Sequence, residues 1–432
     1  MKTKSSDLHL STDFSRAFAL LENTSKNIFI TGRAGTGKST FLQYVRENSQ
    51  KKIAVVAPTG VAALNVGGQT IHSFFRLPPR FLDVNDPKII QRVRGSKIYR
   101  TVDMIIVDEI SMVRADIFHS MDLFLRLNGR HKNKPFGGVQ ICVIGDLYQL
   151  PPVVGREMET VFYDRYETPF FFSSPSFSDA EFETIEFKEV YRQDNAEFIS
   201  LLNQIRAGNS SAAVIRQINQ RVIERVRAQP GTLTLAARNI TADRINEEEL
   251  AKLPGEEFSY DGSLQGELPL SGDRLPAPEN LRLKVGAQIM FTRNDPEQKR
   301  WVNGTLGTVY SLSAARIQVK TSEGIFTLEP EKWEMIRYDA SDDGSIIAKT
   351  IGTYKQYPIT PAWAITIHKA QGKTLERVII DLDNGGAFAA GQLYVALSRC
   401  RALDSLALKK PATEKDIVCD KRIVDFYAGK FA

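Results

Sequence analysis

Cysteine is nearly absent from this chain. The three that occur in 432 residues, Cys142, Cys400 and Cys419, lie far apart without a C-x-x-C spacing, which leaves neither a zinc ribbon nor a disulfide framework and fits a reducing compartment. Long apolar runs are missing too: no stretch approaches the roughly 20 residues a bilayer span needs, so no membrane insertion is expected. The first residues, MKTKSSDLHLSTDF, lack an apolar h-region and already carry acids, so neither a secretory signal nor a cleaved import leader is expected. An excess of one charge is equally lacking. Lys+Arg 56 against Asp+Glu 51 leave +5, too little to identify a polyanionic partner unless the cations gather locally. There is no low-complexity tract and no repeat of fixed period. What remains, 42% apolar and 25% charged residues, is the composition of a chain that folds, with length for about three domains or two and a sizeable insertion.

Short apolar runs end in phosphate-type or acidic residues: NIFITG (27–32), KIAVVAPTG (52–60), MIIVDE (104–109) and ICVIGD (141–146). Such runs suit parallel strands buried on both faces, and the helical stretches between them predict a doubly wound α/β sheet with ligands at its carboxyl edge. This first core is expected over 1–185, with a small insertion near 65–100. Beyond it, Phe198, Leu201, Leu202 and Ile205 have the spacing of an amphipathic helix, Ile215, Ile218 and Val222 continue a second, and the strand LTLAA (233–237) precedes the helical ITADRINEEEL. Residues 256–355 change texture, with AQIMF, GTVYSL, RIQVK and GIFTL separated by turn signals, which predicts a β-rich, barrel-like insertion. Alternation then returns in WAITIHKAQG, RVIIDLD and GQLYVALSRC, so a second α/β core is expected over 186–255 and 356–432, split by the insertion.

GRAGTGKS (32–39), after a strand and before a helical FLQYVREN, matches the phosphate-binding loop G-x-x-x-x-G-K-[ST]. Gly35, Thr36, Gly37 and Thr40 belong to the wall around the phosphates, Lys38 supplies charge to the β/γ-phosphates, and Ser39 suits magnesium. In MIIVDEIS, Asp108 and Glu109 end a buried strand, where two acids are costly unless a cation meets them. Asp108 then holds magnesium and Glu109 orients and deprotonates the attacking water; the alternative is an N-cap pair for the following helix. GDLYQLPPV (145–153) ends the next strand, with Asp146 and Gln149 facing the Pro151-Pro152 turn. Gln149 is the candidate reader of the γ-phosphate, and a plain strand-to-loop turn is the alternative.

With these motifs in order, the chain resembles the superfamily-one helicases of the RecD/Pif branch, and within it the Pif-one-like DNA helicases. The resemblance covers nearly the whole chain. It also rests on APTGVAALNVGGQTIHSFF (57–75), the run from MDLFLRLNGR through KPFGGVQ (134–140), EVYRQ (189–193), AWAITIHKAQGKTL (362–375) and YVALSRC (394–400). It implies two RecA-like cores with a small barrel in the second, ATP and magnesium as cofactors, and 5′-to-3′ translocation on single-stranded DNA with strand separation at forks or duplex junctions, G-quadruplex among the structures it implies. By the same resemblance Arg192 and Arg399 are the arginines the second core points into the cleft, and Gly372 belongs to the nucleotide side. Either arginine could instead make a surface ion pair.

For DNA, the resemblance implies Pro58, Thr59, Gly60, Asn65, His72 and Phe74 on the first core and Thr366, His368 and Lys369 on the second. Small polar groups and rings at strand ends suit tracking of a single strand of any sequence; lone histidines also serve as core or capping residues. Between Pro87 and Val102, Lys88, Arg92, Arg94, Lys97 and Arg100 occur without an acid, either along a duplex or as a solvated helix face. The family's adenine-reading glutamine upstream of the phosphate loop has no counterpart, the first glutamine being Gln43. The barrel could simply brace the second core.

Two further readings share the phosphate residues: a single-strand translocase or RNA helicase, and a nucleotide-gated clamp without processive movement. Repair, recombination and telomere maintenance are the settings implied. A monomer is expected, in the bacterial cytoplasm, or in the nucleus or mitochondrion of a eukaryote.

Overall fold

The computed structural model describes residues 11–431 except 79, 85, 87–88, 94–96, 156–157, 194, 224–230, 267–274, 296–299, 342–345 and 383–384. Strands β1 (Ile28–Gly32), β2 (Ile53–Ala57), β3 (Gln69–Thr70), β4 (Met104–Val107), β5 (Gln140–Ile144) and β6 (Glu183–Phe187) form one parallel sheet in the order β3-β2-β4-β5-β1-β6. Side chains alternate across a strand. Phe29, Ile105, Val107, Ile141 and Val143 therefore enter one apolar cluster, and Ile28, Ile30, Met104, Ile106, Cys142 and Ile144 a second on the opposite face. Because both faces are covered, each strand is an unbroken apolar run in the sequence. The order also sets the carboxyl ends of β1, β5 and β4 side by side, so the phosphate loop, Asp146 and Asp108–Glu109 meet at one edge.

The predicted helices follow at Ala196–Arg206 and Ala212–Asn219. The second stops short of Val222, which bridges to Leu408 instead. Then come β7 (Leu233–Ala236), the helix Asn239–Lys252, and the insertion: β8 (Phe258–Asp261), β9 (Ser263–Gly266), β10 (Asn280–Leu283), β11 (Gln288–Phe291), β12 (Leu306–Ser313), β13 (Arg316–Thr321), β14 (Gly324–Leu328), β15 (Glu331–Ala340), β16 (Ile346–Gln356) and β17 (Ile359–Pro361). The antiparallel sheet β14-β13-β12-β11-β17 closes on Ile289, Phe291, Trp301, Val309, Ile317 and Val319. Its last strand lies beyond residue 355, because Ile359–Pro361 pairs with β11. The hairpin β15–β16 reaches the first core, where Tyr338 N donates to Gln69 Oε1 at 3.2 Å and Val55 N to the Tyr338 hydroxyl at 3.4 Å.

Strands β18 (Ala364–Thr366), β19 (Val378–Asp381) and β20 (Leu406–Leu408) join β7 in a second parallel sheet, order β18-β7-β19-β20. The final helix, Lys421–Phe431, turns back to the first core. Ile423 and Tyr427 are buried in its cluster, Phe426 stacks on Phe172 at 4.2 Å between centroids, and Tyr427 on Tyr148 at 5.2 Å. Its aromatic face meets an aromatic-rich surface there, and burial of apolar area drives the crossing. Among the described residues no helix is long and apolar enough to cross a membrane.

Candidate nucleotide cleft and nucleic-acid channel

The phosphate loop depends on glycine at defined positions. Gly35 and Gly37 have φ of 84° and 82°, which other residues adopt only under strain. A Cβ on Gly35 would lie 2.5 Å from Arg192 Cβ, so the second core's EVYRQ segment rests directly on the loop. Tyr191 N donates to Gly35 O at 2.9 Å. Lys38 begins the helix Lys38–Asn48, and its ammonium donates to the carbonyls of Gly32 (2.6 Å) and Arg33 (2.8 Å). Burial lowers its pKa to about 8, against the opposing pull of Asp146 and Glu109. Thr36 is buried, with its hydroxyl donating to Arg33 O, while Ser39 and Thr40 are exposed at the helix start.

Asp108 and Glu109 lie side by side at the end of β4. Burial, then the neighbouring Glu109, pushes the Asp108 carboxyl up to about 7. Burial also raises Glu109, opposed by Lys38, Arg399 and a hydrogen bond from Gln371. Glu109 takes φ 51°, ψ 46°, the left-handed region that a β-carbon disfavours. Two crowded, buried carboxyls and the exposed Ser39 hydroxyl on one cavity wall are an oxygen donor set that fits magnesium, which takes one or two carboxylates together with substrate phosphates and water.

Asp146 is fully buried and accepts hydrogen bonds from Arg206 Nη2 (3.0 Å), Tyr148 N (3.2 Å) and the Tyr394 hydroxyl (3.2 Å). Tyr394 Oη also accepts from Ala34 N in the phosphate loop at 3.1 Å. Arg206 lies 4.2 Å over the Tyr148 ring, and Tyr148 stacks on Tyr427, whose hydroxyl is 2.5 Å from Thr31 Oγ1. Gln149 is buried beside this network. Its backbone carbonyl is so close to Gly391 that a Cβ there would sit 2.7 Å away, which places Gln149 at the contact between the cores.

Arg399 is 1% exposed and its guanidinium donates to Val395 O (2.8 Å) and Ser398 Oγ (2.7 Å). Burial and the nearby Arg192 lower its pKa to about 9, while Glu109 and Asp146 oppose the shift. Arg192 Nη1 donates to Ser398 O at 3.2 Å, and Gln193 Nε2 to Ser398 O and Cys400 O. Both arginines are therefore drawn together beside the phosphate loop without a carboxylate hydrogen bond among the described contacts, an arrangement suited to phosphate oxygens.

Next to this cleft opens a cavity of about 2140 Å³ whose wall includes Ser39, Asp108, Glu109 and Gly372 together with Pro58, Thr59, Gly60, Asn65, His72, Thr366, His368 and Lys369. The two cores present a matching device there. Thr70 caps the turn Ile71–Phe74 by accepting from Ser73 N at 3.2 Å, and Thr366 caps Ile367–Ala370 by accepting from Lys369 N at 3.3 Å. Each turn sets a half-buried histidine, His72 or His368, in the cavity wall, and burial lowers both pKa values. Thr59 likewise caps the helix Gly60–Asn65.

Phe74 departs from expectation. It is 2% exposed, packed edge-on against Phe75 and Tyr99, and is absent from the cavity wall, because the first turn of Ile71–Phe74 directs it into the core. In the basic segment, Arg92, Lys97 and Arg100 are exposed, and among the described residues only Ile98–Thr101 is helical; Pro87, Lys88 and Arg94 lie outside the described residues.

The family model of the PIF1-like helicases matches residues 12–216. A protein of Bdellovibrio bacteriovorus named ATP-dependent DNA helicase Pif1 is 33% identical over 427 residues, 98% of this chain and 92% of its own length. The chain belongs to the PIF1-like helicase family. Two solved structures of the Bacteroides sp Pif1, both 33% identical and covering 98% of this chain and 97% of their own, superpose with TM-scores of 0.88 (in complex with ADP-AlF4) and 0.72 (with ADP-AlF3 and single-stranded DNA).

Sequence reasoning missed four residues of this PIF1-like helicase site. Gln371 sits inside the quoted AWAITIHKAQGKTL, and its amide donates to Glu109 Oε2. Tyr191, 54% exposed, adjoins Arg192 in EVYRQ and lies beside Gly37; an exposed aromatic next to a cleft arginine was the available signal. Arg206 and Tyr394 carry no local signal, since Arg206 reads as part of an amphipathic helix and Tyr394 as one of a run of buried helical residues.

Proposed function

We propose that this chain is an ATP-driven DNA helicase that moves 5′-to-3′ along single-stranded DNA and separates duplexes at forks and junctions. The observation that carries the reading is the shared cavity. At about 2140 Å³ it exceeds the roughly 300–1,000 Å³ typical of a small-molecule pocket, and its nucleotide wall is continuous with the wall that holds the paired Thr-capped histidines. The cavity borders the nucleotide site at Ser39, Asp108 and Glu109, and its own tenant is the strand.

In this reading Lys38 and the loop amides bind the β/γ-phosphates, Glu109 orients the attacking water and takes its proton, and Arg192 and Arg399 stabilise charge spreading over the transferred phosphoryl group. Magnesium, held at Ser39 and Asp108, would neutralise phosphate charge. Tyr191 offers a ring on which the base can stack, a contact that does not distinguish adenine from other bases. Since Arg399 and Gln371 come from the core opposite Lys38 and Glu109, hydrolysis is complete only when the cores meet, and each meeting brings the His72 and His368 grips together.

Unwinding of fluorescent duplexes carrying a 5′ or a 3′ single-stranded tail, beside matching RNA, tests the reading. Opening of the 5′-tailed DNA alone is expected. Preferential opening of the 3′-tailed duplex or of RNA would overturn the polarity or the substrate, and hydrolysis without unwinding would leave a translocase.

A further inference from the structure

Lys373 has no part in the reading above. Its ammonium lies in the cavity wall and donates to Asn303 Oδ1, and Asn303 Nδ2 in turn donates to Asn65 Oδ1 at 3.5 Å. Three parts of the molecule meet at this point: Asn65 ends a first-core helix, Asn303 lies in the barrel between β11 and β12, and Lys373 follows the second core's turn Ile367–Ala370. Gly304, next to Asn303, turns the chain beside Lys373 with a φ of 102° that other residues rarely adopt. Burial lowers the lysine to about 8, and no carboxylate offsets it. A cation set in a wall with, among the described residues, only a neutral amide for a partner lacks the counter-charge that makes such burial favourable.

We propose that Lys373 binds a backbone phosphate of the single strand, which takes the place of Asn303 on the ammonium. The assignment to the strand rests on the cavity being the strand channel. It is favoured over a nucleotide phosphate because the ammonium's partner, Asn303, is bonded in turn to Asn65 on the proposed strand side, whereas Lys38, Arg192 and Arg399 already surround the phosphate loop. The segment is also tied to the hydrolysis site: Leu375 N donates to Arg399 O at 2.9 Å, and Arg399 Nη1 to Lys373 O at 3.5 Å. Strand occupancy is thus registered one residue away from the arginine that serves hydrolysis.

The test uses oligo-dT carrying one uncharged methylphosphonate linkage, moved along the strand, with binding followed by fluorescence anisotropy over a range of salt. With the unaltered protein, one linkage should weaken binding on neutralisation. Lys373→Met should weaken binding of the unmodified strand, lower the salt slope by roughly 0.7, and abolish the response at that linkage alone; Lys373→Arg should retain all three. If Lys373→Met responds at every linkage as the unaltered protein does, Lys373 is structural and the proposal fails. If the strand data are unchanged but affinity for a fluorescent ADP analogue drops, the phosphate belongs to the nucleotide and the proposal fails. No single-strand binding by the unaltered protein would instead overturn the channel reading, and this proposal with it.

Discussion

Gln371 Nε2 of the second core donates a 3.0 Å hydrogen bond to Glu109 Oε2 of the first, across 262 residues of sequence. Glu109 holds a left-handed backbone conformation that costs about 1–3 kcal/mol at a non-glycine residue. The bond joins Glu109 to the segment that also carries His368 and Lys369, so the proposed water-activating residue of one core and the proposed strand contacts of the other are linked through a single side chain.

Removing this bond separates positioning from binding. Gln371→Ala should lower turnover while leaving nucleotide affinity close to normal; Glu109→Gln should also retain affinity and lose turnover. Lys38→Ala should lose both. Titration with a fluorescent nucleotide beside steady-state phosphate release decides, and equal loss of affinity in Lys38→Ala and Glu109→Gln contradicts this division of roles.

Arg399 is buried with its guanidinium satisfied by Val395 O and Ser398 Oγ, so it is held ready for an anion. Arg399→Ala should depress the turnover number by roughly 10³ to 10⁵, the range for an arginine serving phosphoryl transfer, with a much smaller change in ATP affinity. Near-normal DNA-stimulated hydrolysis would place Arg399 outside the transition state.

The ion pair Arg206–Asp146 is 13% and 0% exposed at its two side chains. Breaking a buried pair leaves one charge uncompensated and costs about 3–5 kcal/mol. Arg206→Met should therefore lower resistance to chemical denaturation by that order, and Asp146→Asn in the same background should recover part of it. A single-variant loss below about 1 kcal/mol would mean that the pair is solvated.

Acid dependence follows from Asp108. Its folded pKa is raised from 3.8 to about 7, so the folded state holds the proton more tightly and this residue's contribution to stability is lost as pH rises from about 4 to 7. Asp108→Asn should remove that decline, flattening the melting temperature over this range relative to the unaltered protein without nucleotide. Parallel pH profiles for the two proteins would show that Asp108 titrates normally.

The phosphate loop, Asp108–Glu109 and the alternation of strands and helices were legible in the sequence because each is local chemistry. A loop needs glycine where φ is positive, a strand covered on both faces must be apolar throughout, and an amphipathic helix shows its period within a few turns.

Tertiary structure alone decided the rest. Phe74 lies two residues after a cavity-wall histidine yet is core, because one short helical turn sends nearby side chains in different directions. The final helix follows the second sheet but packs on the first, where Phe426 stacks on Phe172 and Tyr427 on Tyr148. Gln371–Glu109, Arg206–Asp146, Tyr394 on the phosphate loop and Asn303 between Asn65 and Lys373 all join distant segments. Such contacts depend on how two separately folded surfaces dock, a balance of burial, desolvation and hydrogen bonding in which no single residue carries a periodic or positional mark. The chain's own sequence thus determined which reaction the molecule is equipped for, and the packing of one core on the other decided which residues stand close enough to perform it.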